Sequence, residues 1–255
     1  MYTLAVSTQK GGVGKTVTCA ALGTFLSEAG YRVLLVDMDS QCNLTRMVQA
    51  EEHGNTVYDV LANGADVRSA IYAARIGSIL PSDVRLALLG TKARTNLLTL
   101  KTALEAVKTG YDICIIDTPP SLGFMSMYAL YAADGVLVPM HPDRFSADGL
   151  ISTCETLDGV RTQRNNVGVT GKLSLLGVIL TEFNQRTTLH KSVYDMMVDR
   201  TASMKTKLYP PVRRTVSVDE WQYTSDINTG CTAGADYKRI TDELIHDIKL
   251  KRGKK

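Results

Sequence analysis

The chain has 255 residues, of which 44% are hydrophobic and 22% are charged, which is enough for the buried core of one large globular domain. A net charge of +3 is too small to indicate a polyanionic partner by itself, and five dispersed cysteines without a CxxC pair argue against a zinc or iron–sulfur site within one chain. The cysteines suit a reducing cytosol, no apolar run reaches the length of a membrane span, and the amino terminus resembles a strand and not a signal peptide, so we expect a cytoplasmic protein.

Short apolar runs alternate with longer segments of helical periodicity along the chain. In chain order, the pattern predicts a strand at 2–7, a helix at 16–29, a strand at 32–39, an interrupted helical region over 43–74, a strand at 76–83, a helix at 92–108, a strand at 111–120, a short helix, a strand at 135–140, a helix at about 146–164, a strand at 173–183, and helices near 188–200 and 235–250. This alternation predicts an α/β fold with a doubly wound, mostly parallel sheet flanked by helices on both faces. No linker or composition break divides the chain, so we expect one domain over 1–255 that ends in a short basic tail, 249–255.

The loop after the first strand, TQKGGVGKTVT at residues 8–18, is typical of a phosphate site, although Gln9 stands where the strict motif has its first glycine. Its three glycines let the backbone curl so that N–H groups point at phosphate oxygens, and the following helix presents its positive end to the same anion. Lys15 would reach the β- and γ-phosphates of ATP, and the Thr16 hydroxyl would ligate Mg²⁺. The predicted nucleotide contacts in this loop are Lys10, Gly11, Gly12, Val13, Gly14, Lys15, Thr16 and Val17.

A second lysine, Lys10, stands at the start of the same loop. Because Lys15 already occupies the γ-phosphate side of its own nucleotide, Lys10 could serve a second subunit. There it would stabilise the charge on the transferring phosphoryl group, as an arginine finger does. The alternative is an ordinary solvated surface lysine, and the spacing alone does not decide between the two.

Acidic residues follow two of the predicted buried strands. Asp37 and Asp39 end one of them, and Asp117 ends the apolar part of another. The carboxyl ends of parallel strands form the edge at which doubly wound sheets bind ligands. We therefore predict a metal site in which Thr16 and Asp117 hold Mg²⁺, the latter through water, and Asp37 supports the metal shell. The alternative is that acids end strands because turns favour them.

Four segments together resemble the ParA/MinD superfamily of ATPases. KGGVGKT with its leading lysine resembles the deviant Walker A motif, VLLVDMDSQCNLT the switch I stretch, YDICIIDTPPSLG the Walker B and switch II segment, and VLVPMHPDRFSADGL the strand and helix that follow. These segments occur in family order over at least residues 1–160, and LTEFNQRTTLH and VRRTVSVDE match more loosely. The resemblance indicates the ParA/Soj branch, which implies a P-loop NTPase fold and a weak Mg²⁺-dependent ATPase that hydrolyses ATP to ADP and phosphate.

The resemblance also implies roles for single residues. Lys10 would be the signature lysine that acts across an ATP-sandwiched homodimer, and Asp39 matches the residue that orients or activates the attacking water. The catalytic set would therefore be Lys10, Lys15 and Asp39. The backbone near Val212 to Arg214 and the side chain of Asn184 would contact the base; the alternative for Asn184 is that it caps or turns its own loop.

Two residues depart from the switch I pattern of the family. Ser40 replaces the usual proline, and Cys42 replaces the usual glycine. Ser40 loosens the turn, and Cys42 resists the positive φ that glycine adopts freely. Neither change removes a catalytic group, but both bear on the geometry of the switch and on the rate of hydrolysis.

Members of the ParA/Soj branch bind double-stranded DNA without sequence preference as ATP dimers, and a ParB-like centromere-binding adaptor stimulates their hydrolysis. The resemblance therefore implies plasmid or chromosome segregation at the nucleoid. Such binding needs lysines and arginines against phosphates, although charge runs are more often solvated faces. Besides the basic tail, the candidate DNA contacts are Arg186, Lys191, Lys205, Lys207, Arg213 and Arg214.

Three other kinds of superfamily member are alternatives. A MinD-like membrane-associated protein would use a carboxy-terminal amphipathic helix, and residues 237–250 have apolar residues at helical spacing. That face lacks Trp and Phe, which favours a final core helix and no stable membrane association. A relative of the nitrogenase iron protein would need cysteines that share a cluster, and the cysteines here lack that context. An ATPase that positions another cargo would have the same motifs.

Overall fold

A mostly parallel sheet forms the centre of the protein in the computed structural model, which describes residues 1–50, 54–91, 96–121, 123–224 and 227–253. Within these residues the sheet has eight strands in the order β3-β4-β2-β5-β1-β6-β7-β8. The strands are β1 (Tyr2–Val6), β2 (Val33–Asp37), β3 (Tyr72–Ala73), β4 (Ser78–Leu80), β5 (Ile113–Asp117), β6 (Gly135–Met140), β7 (Ser174–Leu180) and β8 (Lys207–Leu208). Only the pairing of β3 with β4 is antiparallel.

Helices fill most of the connections between these strands. The described α-helices are α1 (Lys15–Glu28), α2 (Asn43–Met47), α3 (Val57–Asn63), α4 (Thr99–Glu105), α5 (Phe124–Ala132), α6 (Ser146–Asn166), α7 (Thr188–Ser203), α8 (Val216–Thr224) and α9 (Thr232–Asp247), with 3₁₀ helices at Val67–Ala70 and Val84–Thr91. The interrupted helical region predicted over 43–74 contains α2, α3 and a 3₁₀ helix, but the helix prediction is wrong at β3. The helix predicted at 92–108 is described only as α4, and residues 92–95 lie outside the described residues.

The central strands are apolar throughout because both faces of the sheet are covered. Every residue of β2 and of β5 is buried. Alternate side chains enter opposite cores, so that Leu34 and Val36 belong to one apolar cluster and Val33 and Leu35 to the other. Helices α3 to α7 contribute to the first cluster, and α1, α2, α8 and α9 to the second. The predicted doubly wound arrangement, with helices on both faces, is confirmed.

The last helix is part of the second core. In α9, Tyr237, Ile240 and Leu244 are buried, which confirms the interpretation of this amphipathic segment as a core helix. The Tyr237 hydroxyl lies 3.0 Å from the Thr18 hydroxyl of α1, and its ring packs against the buried indole of Trp221 in α8 with 6.2 Å between ring centroids. In the described part of the chain, no helix combines the length and the apolar character that a membrane span requires.

The basic tail continues beyond α9 against the opposite edge of the sheet, where the strands begin. The guanidinium carbon of Arg252 lies 5.3 Å from the ring centroid of Tyr31, and the Gly253 N–H donates to Asp112 Oδ1 at 2.8 Å. Asp112 also accepts from the Arg32 N–H at 2.9 Å and from its guanidinium at 2.6 Å. The described part of the predicted tail is therefore packed on the domain, whereas residues 254–255 lie outside the described residues.

Candidate functional site

A cavity of about 510 Å³ opens at the carboxyl edge of the sheet. The chain leaves β1 in one direction, towards β2, and leaves β5 in the other, towards β6, so the loops after β1 and β5 lie where the strand order reverses. Doubly wound sheets bind their ligands at this position. The cavity is lined by the glycine-rich loop, the segment after β2, the segment after β5, the end of β7, and residues 212–218 with part of α9.

The glycine-rich loop has the backbone that a phosphate site requires. Gly12 has φ 70° and Gly14 has φ 79°, both in the left-handed region that favours glycine. Gly14 is also the residue that precedes α1, so the free N–H groups of the helix face the loop. Of the predicted loop contacts, the cavity lining contains Gly12, Gly14, Lys15, Thr16 and Val17 but not Lys10, Gly11 or Val13.

Lys15 points back over the loop instead of into solvent. Its side chain is buried, and its ammonium donates to the Lys10 carbonyl oxygen at 3.0 Å. Burial lowers the pKa of Lys15, and the Asp117 and Asp39 carboxylates oppose this shift. The loop therefore holds one positive charge at the floor of the cavity, beside two carboxylates.

Thr16 and Asp117 form the pair that the metal-site prediction requires. The Thr16 hydroxyl donates to Asp117 Oδ2 at 2.7 Å, while Asp117 Oδ1 is buried and has no hydrogen-bond partner among the described residues. Burial and the Asp37 carboxylate on the neighbouring strand raise the pKa of Asp117. A buried carboxylate oxygen without a donor, next to a hydroxyl, fits the oxygen ligands that Mg²⁺ prefers.

Asp37 is fully buried but its oxygens are already occupied. Asp37 Oδ2 accepts from the Thr45 N–H at 2.9 Å and from the Thr45 hydroxyl at 2.7 Å, and Oδ1 accepts from the Asp39 N–H at 3.0 Å. Burial raises the pKa of Asp37, and the hydrogen bonds from Thr45 oppose this. Asp37 lies outside the cavity lining and holds the start of α2, so its place in the metal shell stays a prediction.

Asp39 does line the cavity, at the start of the loop that leads to α2. Its Oδ1 accepts from the Gln41 N–H at 2.9 Å, and the Ser82 hydroxyl donates to its carbonyl oxygen at 2.7 Å. Three residues later, Cys42 has φ 55° and is the residue that precedes α2. Cys42 thus adopts the left-handed conformation that the glycine usual at this position of the family's switch I pattern would favour.

Lys10 is neither buried with the loop nor free in solvent. Its ammonium forms a hydrogen-bonded ion pair with the carboxylate of Asp143, which lies between β6 and α6. The Lys10 side chain is 54% exposed in this arrangement. An exposed ion pair of this kind is compatible with an ordinary surface lysine, so the structure does not decide between that interpretation and the predicted role across a dimer, which stays a prediction.

The predicted base contacts fall into two groups. Val212 and Arg214 line the cavity together with Arg213. Asn184 lies outside the lining, and its Oδ1 accepts from the Arg186 N–H at 2.9 Å, which matches the loop-turning alternative. The lining also includes Met47 of α2, which the sequence did not indicate.

The candidate DNA contacts do not share one environment. Arg213 is paired with the buried Asp236 at 2.8 Å, and Lys207 is paired with Glu243 and Asp247 at 2.7 and 2.8 Å. Arg186, Lys191, Lys205 and Arg214 are exposed. Lys205 lies beyond the end of α7 that is far from Lys191, and the part of the helix from Lys191 to Ser203 alone spans roughly 18 Å.

Thr181 is a site residue that the sequence analysis missed. It follows β7, lines the cavity and donates from its hydroxyl to the Val13 carbonyl oxygen at 3.0 Å. The rule that ligands meet the carboxyl ends of parallel strands could have indicated it. Thr45 and Asp143 gave no such signal, because their roles depend on contacts that are distant in sequence.

Comparison with known proteins gives consistent matches. A family model described as an AAA domain (AAA_31) matches residues 1–169. The sporulation initiation inhibitor protein Soj of Bacillus subtilis (strain 168) is 40% identical over 195 residues, which are 73% of this chain and 74% of that protein. The chromosome-partitioning ATPase Soj of Treponema pallidum (strain Nichols) is 30% identical over 253 residues, 95% of this chain and 96% of that protein.

A solved structure extends the similarity over the whole fold. Cobyrinic acid a,c-diamide synthase from Mycobacterium smegmatis, with bound ADP and magnesium, superimposes with a TM-score of 0.82 at 30% sequence identity. The match covers 99% of this chain and 97% of that one.

Proposed function

The chain belongs to the AAA domain family, in the ParA/Soj branch of partition ATPases, and from that premise we propose that it is a Mg²⁺-dependent ATPase that partitions DNA as a nucleotide-switched homodimer. The observation that carries the proposal is the cavity floor, where buried Lys15 lies beside a glycine loop and Asp117 keeps one buried oxygen without a donor. The loop would bind the phosphates of ATP, and its cation would sit next to Thr16. The Mycobacterium smegmatis structure with ADP and magnesium supports the same ligands here.

Thr16 and Asp117 would hold Mg²⁺, with Asp37 supporting that shell through its neighbouring position on β2. Among the described residues no cluster of three or more His, Cys, Asp or Glu side chains forms a metal cage. The Thr16 hydroxyl and the Asp117 carboxylate suit Mg²⁺, which protein sites commonly hold through one or two carboxylates plus substrate phosphates and water. When bound, the ion would neutralise charge on the phosphates.

Catalysis would depend mainly on position and charge. Asp39, at the rim of the cavity, orients the attacking water, and Lys15 stabilises the phosphates of its own nucleotide. Lys10 supplies the second positive charge to the neighbouring subunit when two subunits close over ATP. The base would contact the backbone near Val212 to Arg214, which lines the cavity.

The closed dimer would bind double-stranded DNA without sequence preference, and a ParB-like adaptor would stimulate hydrolysis and release it. Of the candidate DNA contacts, Arg186, Lys191 and Arg214 are exposed and follow the carboxyl ends of strands or line the cavity, whereas Lys205 lies at the far end of α7. We therefore place the first three in the DNA surface and assign Lys207 and Arg213 to structural ion pairs. The protein would act in the cytoplasm on the nucleoid, as one domain with its tail packed on it.

Equilibrium sedimentation with ATP and Mg²⁺ tests the nucleotide site. We expect Lys15→Ala to lose ATP binding and the ATP-dependent dimer, because the substitution removes the buried ammonium of the glycine-rich loop. Lys172→Ala, which removes an exposed lysine after α6, is the matched control and should behave as the wild type does. An ATP-dependent dimer that survives Lys15→Ala contradicts the assignment of the phosphate loop.

Co-sedimentation with DNA and with liposomes tests the partner. The proposal expects salt-dependent DNA binding with ATP and not with ADP, and weaker DNA binding for Lys191→Glu and Arg214→Glu with unchanged ATP binding. Arg213→Gln is not used as a test of DNA binding, because it removes one of the ion-pair partners of buried Asp236. ATP-dependent binding to anionic liposomes without binding to DNA would favour the MinD-like alternative.

A further inference from the structure

The ion pair between Lys10 and Asp143 joins two segments that are 133 residues apart in sequence. Lys10 belongs to the loop after β1, and Asp143 to the loop that leads from β6 into α6. Their side chains are 54% and 31% exposed, so the pair is accessible from the open face of the cavity edge. In the proposed function the Lys10 ammonium acts on a second subunit. In this structure it is bound to Asp143 of its own subunit.

Asp143 is held in place independently of Lys10. Its Oδ1 accepts from the Phe145 N–H at 2.9 Å, and its own N–H donates to the Ser146 hydroxyl oxygen at 3.1 Å. The Ser146 hydroxyl in turn donates to the His141 carbonyl oxygen at 2.6 Å. Burial would raise the pKa of Asp143, but the hydrogen bonds from Lys10 and the Phe145 N–H outweigh it and lower the pKa. The carboxylate is thus oriented by bonds that do not involve Lys10.

The loop around Lys10 is also anchored to its own subunit. The Lys15 ammonium donates to the Lys10 carbonyl oxygen at 3.0 Å, and Gln9 Nε2 donates to the Ser152 hydroxyl of α6 at 3.0 Å. These bonds hold the Lys10 carbonyl oxygen and the Gln9 side chain on their own subunit. The Lys10 side chain cannot reorient towards a second subunit without leaving Asp143.

We propose that Asp143 is a positioning residue that holds the Lys10 ammonium on its own subunit until a triphosphate in the facing subunit competes for it. The inference rests on the proposed function, in which Lys10 acts across the dimer. Closure of two subunits must break two such ion pairs. The multiply charged γ-phosphate end of ATP attracts an ammonium more strongly than one carboxylate does, while ADP offers no group at that position. Asp143 therefore opposes closure with either nucleotide, so that the protein with ADP stays monomeric at concentrations where the contact of Lys10 with the triphosphate still closes the dimer.

Dimerisation with a non-hydrolysable ATP analogue and Mg²⁺, followed by analytical ultracentrifugation, tests this role. Asp143→Asn keeps the oxygen that accepts from the Phe145 N–H but removes the charge. We expect its dimer dissociation constant to fall about two- to tenfold, because exposed ion pairs are individually weak and two are broken per dimer. The gain should shrink at high salt, which already screens the wild-type pair. Asp143→Glu should restore wild-type behaviour.

Two controls separate this role from a structural one. Asp148→Asn removes an acid from the first turn of the same helix without touching Lys10, and it should leave dimerisation unchanged. In a Lys10→Ala background, Asp143→Asn should have no effect, because the residue acts only through Lys10. Asp143→Ser replaces Asp143→Asn if the latter lowers the thermal stability of the monomer.

The outcomes distinguish the two levels of the proposal. Unchanged or weaker dimerisation of Asp143→Asn, or a gain that persists without Lys10, overturns the role of Asp143. If Lys10→Ala loses the dimer while Asp143→Asn matches the wild type, only the present inference fails. If Lys10→Ala dimerises and hydrolyses ATP as the wild type does, Lys10 does not act across the dimer and the inference falls with that part of the proposed function.

Discussion

Asp37 and Asp39 lie only two residues apart, but their carboxylates have different hydrogen-bond partners. Both oxygens of Asp37 accept bonds from its own chain, at Thr45 and at the Asp39 N–H. Asp39 uses one oxygen to accept from the Gln41 N–H and lies on the cavity wall. Asp39 is therefore the carboxylate with capacity to orient a water molecule. Asp37 holds Asp39 in place through the hydrogen bond from the Asp39 N–H.

Asp39→Ala should trap an ATP-bound dimer. Loss of the group that orients the water should lower turnover by roughly 10²-fold or more, while the phosphate loop and its lysine stay intact. Steady-state phosphate release and sedimentation with ATP measure the two effects. Asp39→Asn, which keeps the bond to Gln41, controls for disturbance of the loop. Wild-type turnover of Asp39→Ala would remove the catalytic role.

The left-handed conformation of Cys42 gives a second prediction for a single residue. A φ of 55° costs conformational free energy for a residue with a Cβ, and it does not for glycine. Because glycine also gains freedom in the unfolded chain, the net gain is partial, and Cys42→Gly should raise the melting temperature by about 1–3 °C. Differential scanning calorimetry measures this, with Cys42→Ala as the control that keeps the Cβ. Equal melting temperatures for the two variants would contradict the strain.

Local motifs and long-range contacts differ in how far the sequence could predict them. Gly12, Gly14, Lys15 and Thr16 were predictable because a phosphate loop is continuous in sequence and its glycines are required by the backbone. The partner of Lys10 was not, since it lies 133 residues away and nothing in its own segment marks it as an anion for that lysine. The roles of Lys10 and Asp39 in catalysis stay predictions.

Helix α2 depends on a bond to the strand before it. Asp37 accepts from the N–H of Thr45, one of the free N–H groups of the first turn, so a carboxylate caps a helix of five residues. The Thr45 hydroxyl also accepts from the Ser82 N–H at 3.1 Å. One buried threonine therefore links β2, α2 and the segment after β4.

Thr45→Val should destabilise this junction. The substitution keeps the shape of the side chain but leaves Asp37 short of a donor and Ser82 without its acceptor, which should lower the free energy of unfolding by about 1–3 kcal/mol. Urea denaturation measures the change. Thr45→Ser keeps the hydroxyl and should lose less; equal losses in the two variants would show that the hydroxyl does not stabilise the junction.

The elements that the sequence did not predict are short or irregular. β3 and β8 have two residues each, too few for a period to be visible, and they form only because neighbouring strands offer an edge. α8 follows a segment of mixed polarity and is held by contacts with α1 and α2. The long buried strands were predictable because parallel strands covered on both faces must be apolar throughout.

At the scale of the whole molecule, Asp112 joins three distant parts of the chain. It lies just before β5 and binds Arg32, just before β2, and Gly253 in the tail. Burial would raise the pKa of Asp112, but the hydrogen bonds from Arg32 and the Gly253 N–H outweigh it and lower the pKa to about 2. At the edge of the sheet opposite the cavity, this carboxylate therefore links the starts of β2 and β5 to the tail.

The lowered pKa of Asp112 predicts a pH dependence of stability. The folded-state pKa lies below the value of about 3.9 in an unfolded chain, so the stabilisation is present above pH 4 and is lost as the pH falls towards 2. Asp112→Asn should therefore melt roughly 2–4 °C below the wild type at pH 7, and the difference should shrink below pH 4. Melting curves across this range measure it. Asp158→Asn, at a side chain that is 70% exposed, is the control, and a pH-independent difference for Asp112→Asn would contradict the assignment.

The buried contact between α8 and α9 gives the protein an optical signal of its own. Trp221 is the single tryptophan of the sequence and is 1% exposed, next to the Tyr237 ring whose hydroxyl meets α1. The tryptophan fluorescence therefore comes from the contact of α8 with α9, and we expect the blue-shifted emission of an indole away from water. Any movement of α8 away from α1 that exposes Trp221 to water would shift this emission to longer wavelengths. Such a movement could therefore be followed in real time without an attached dye.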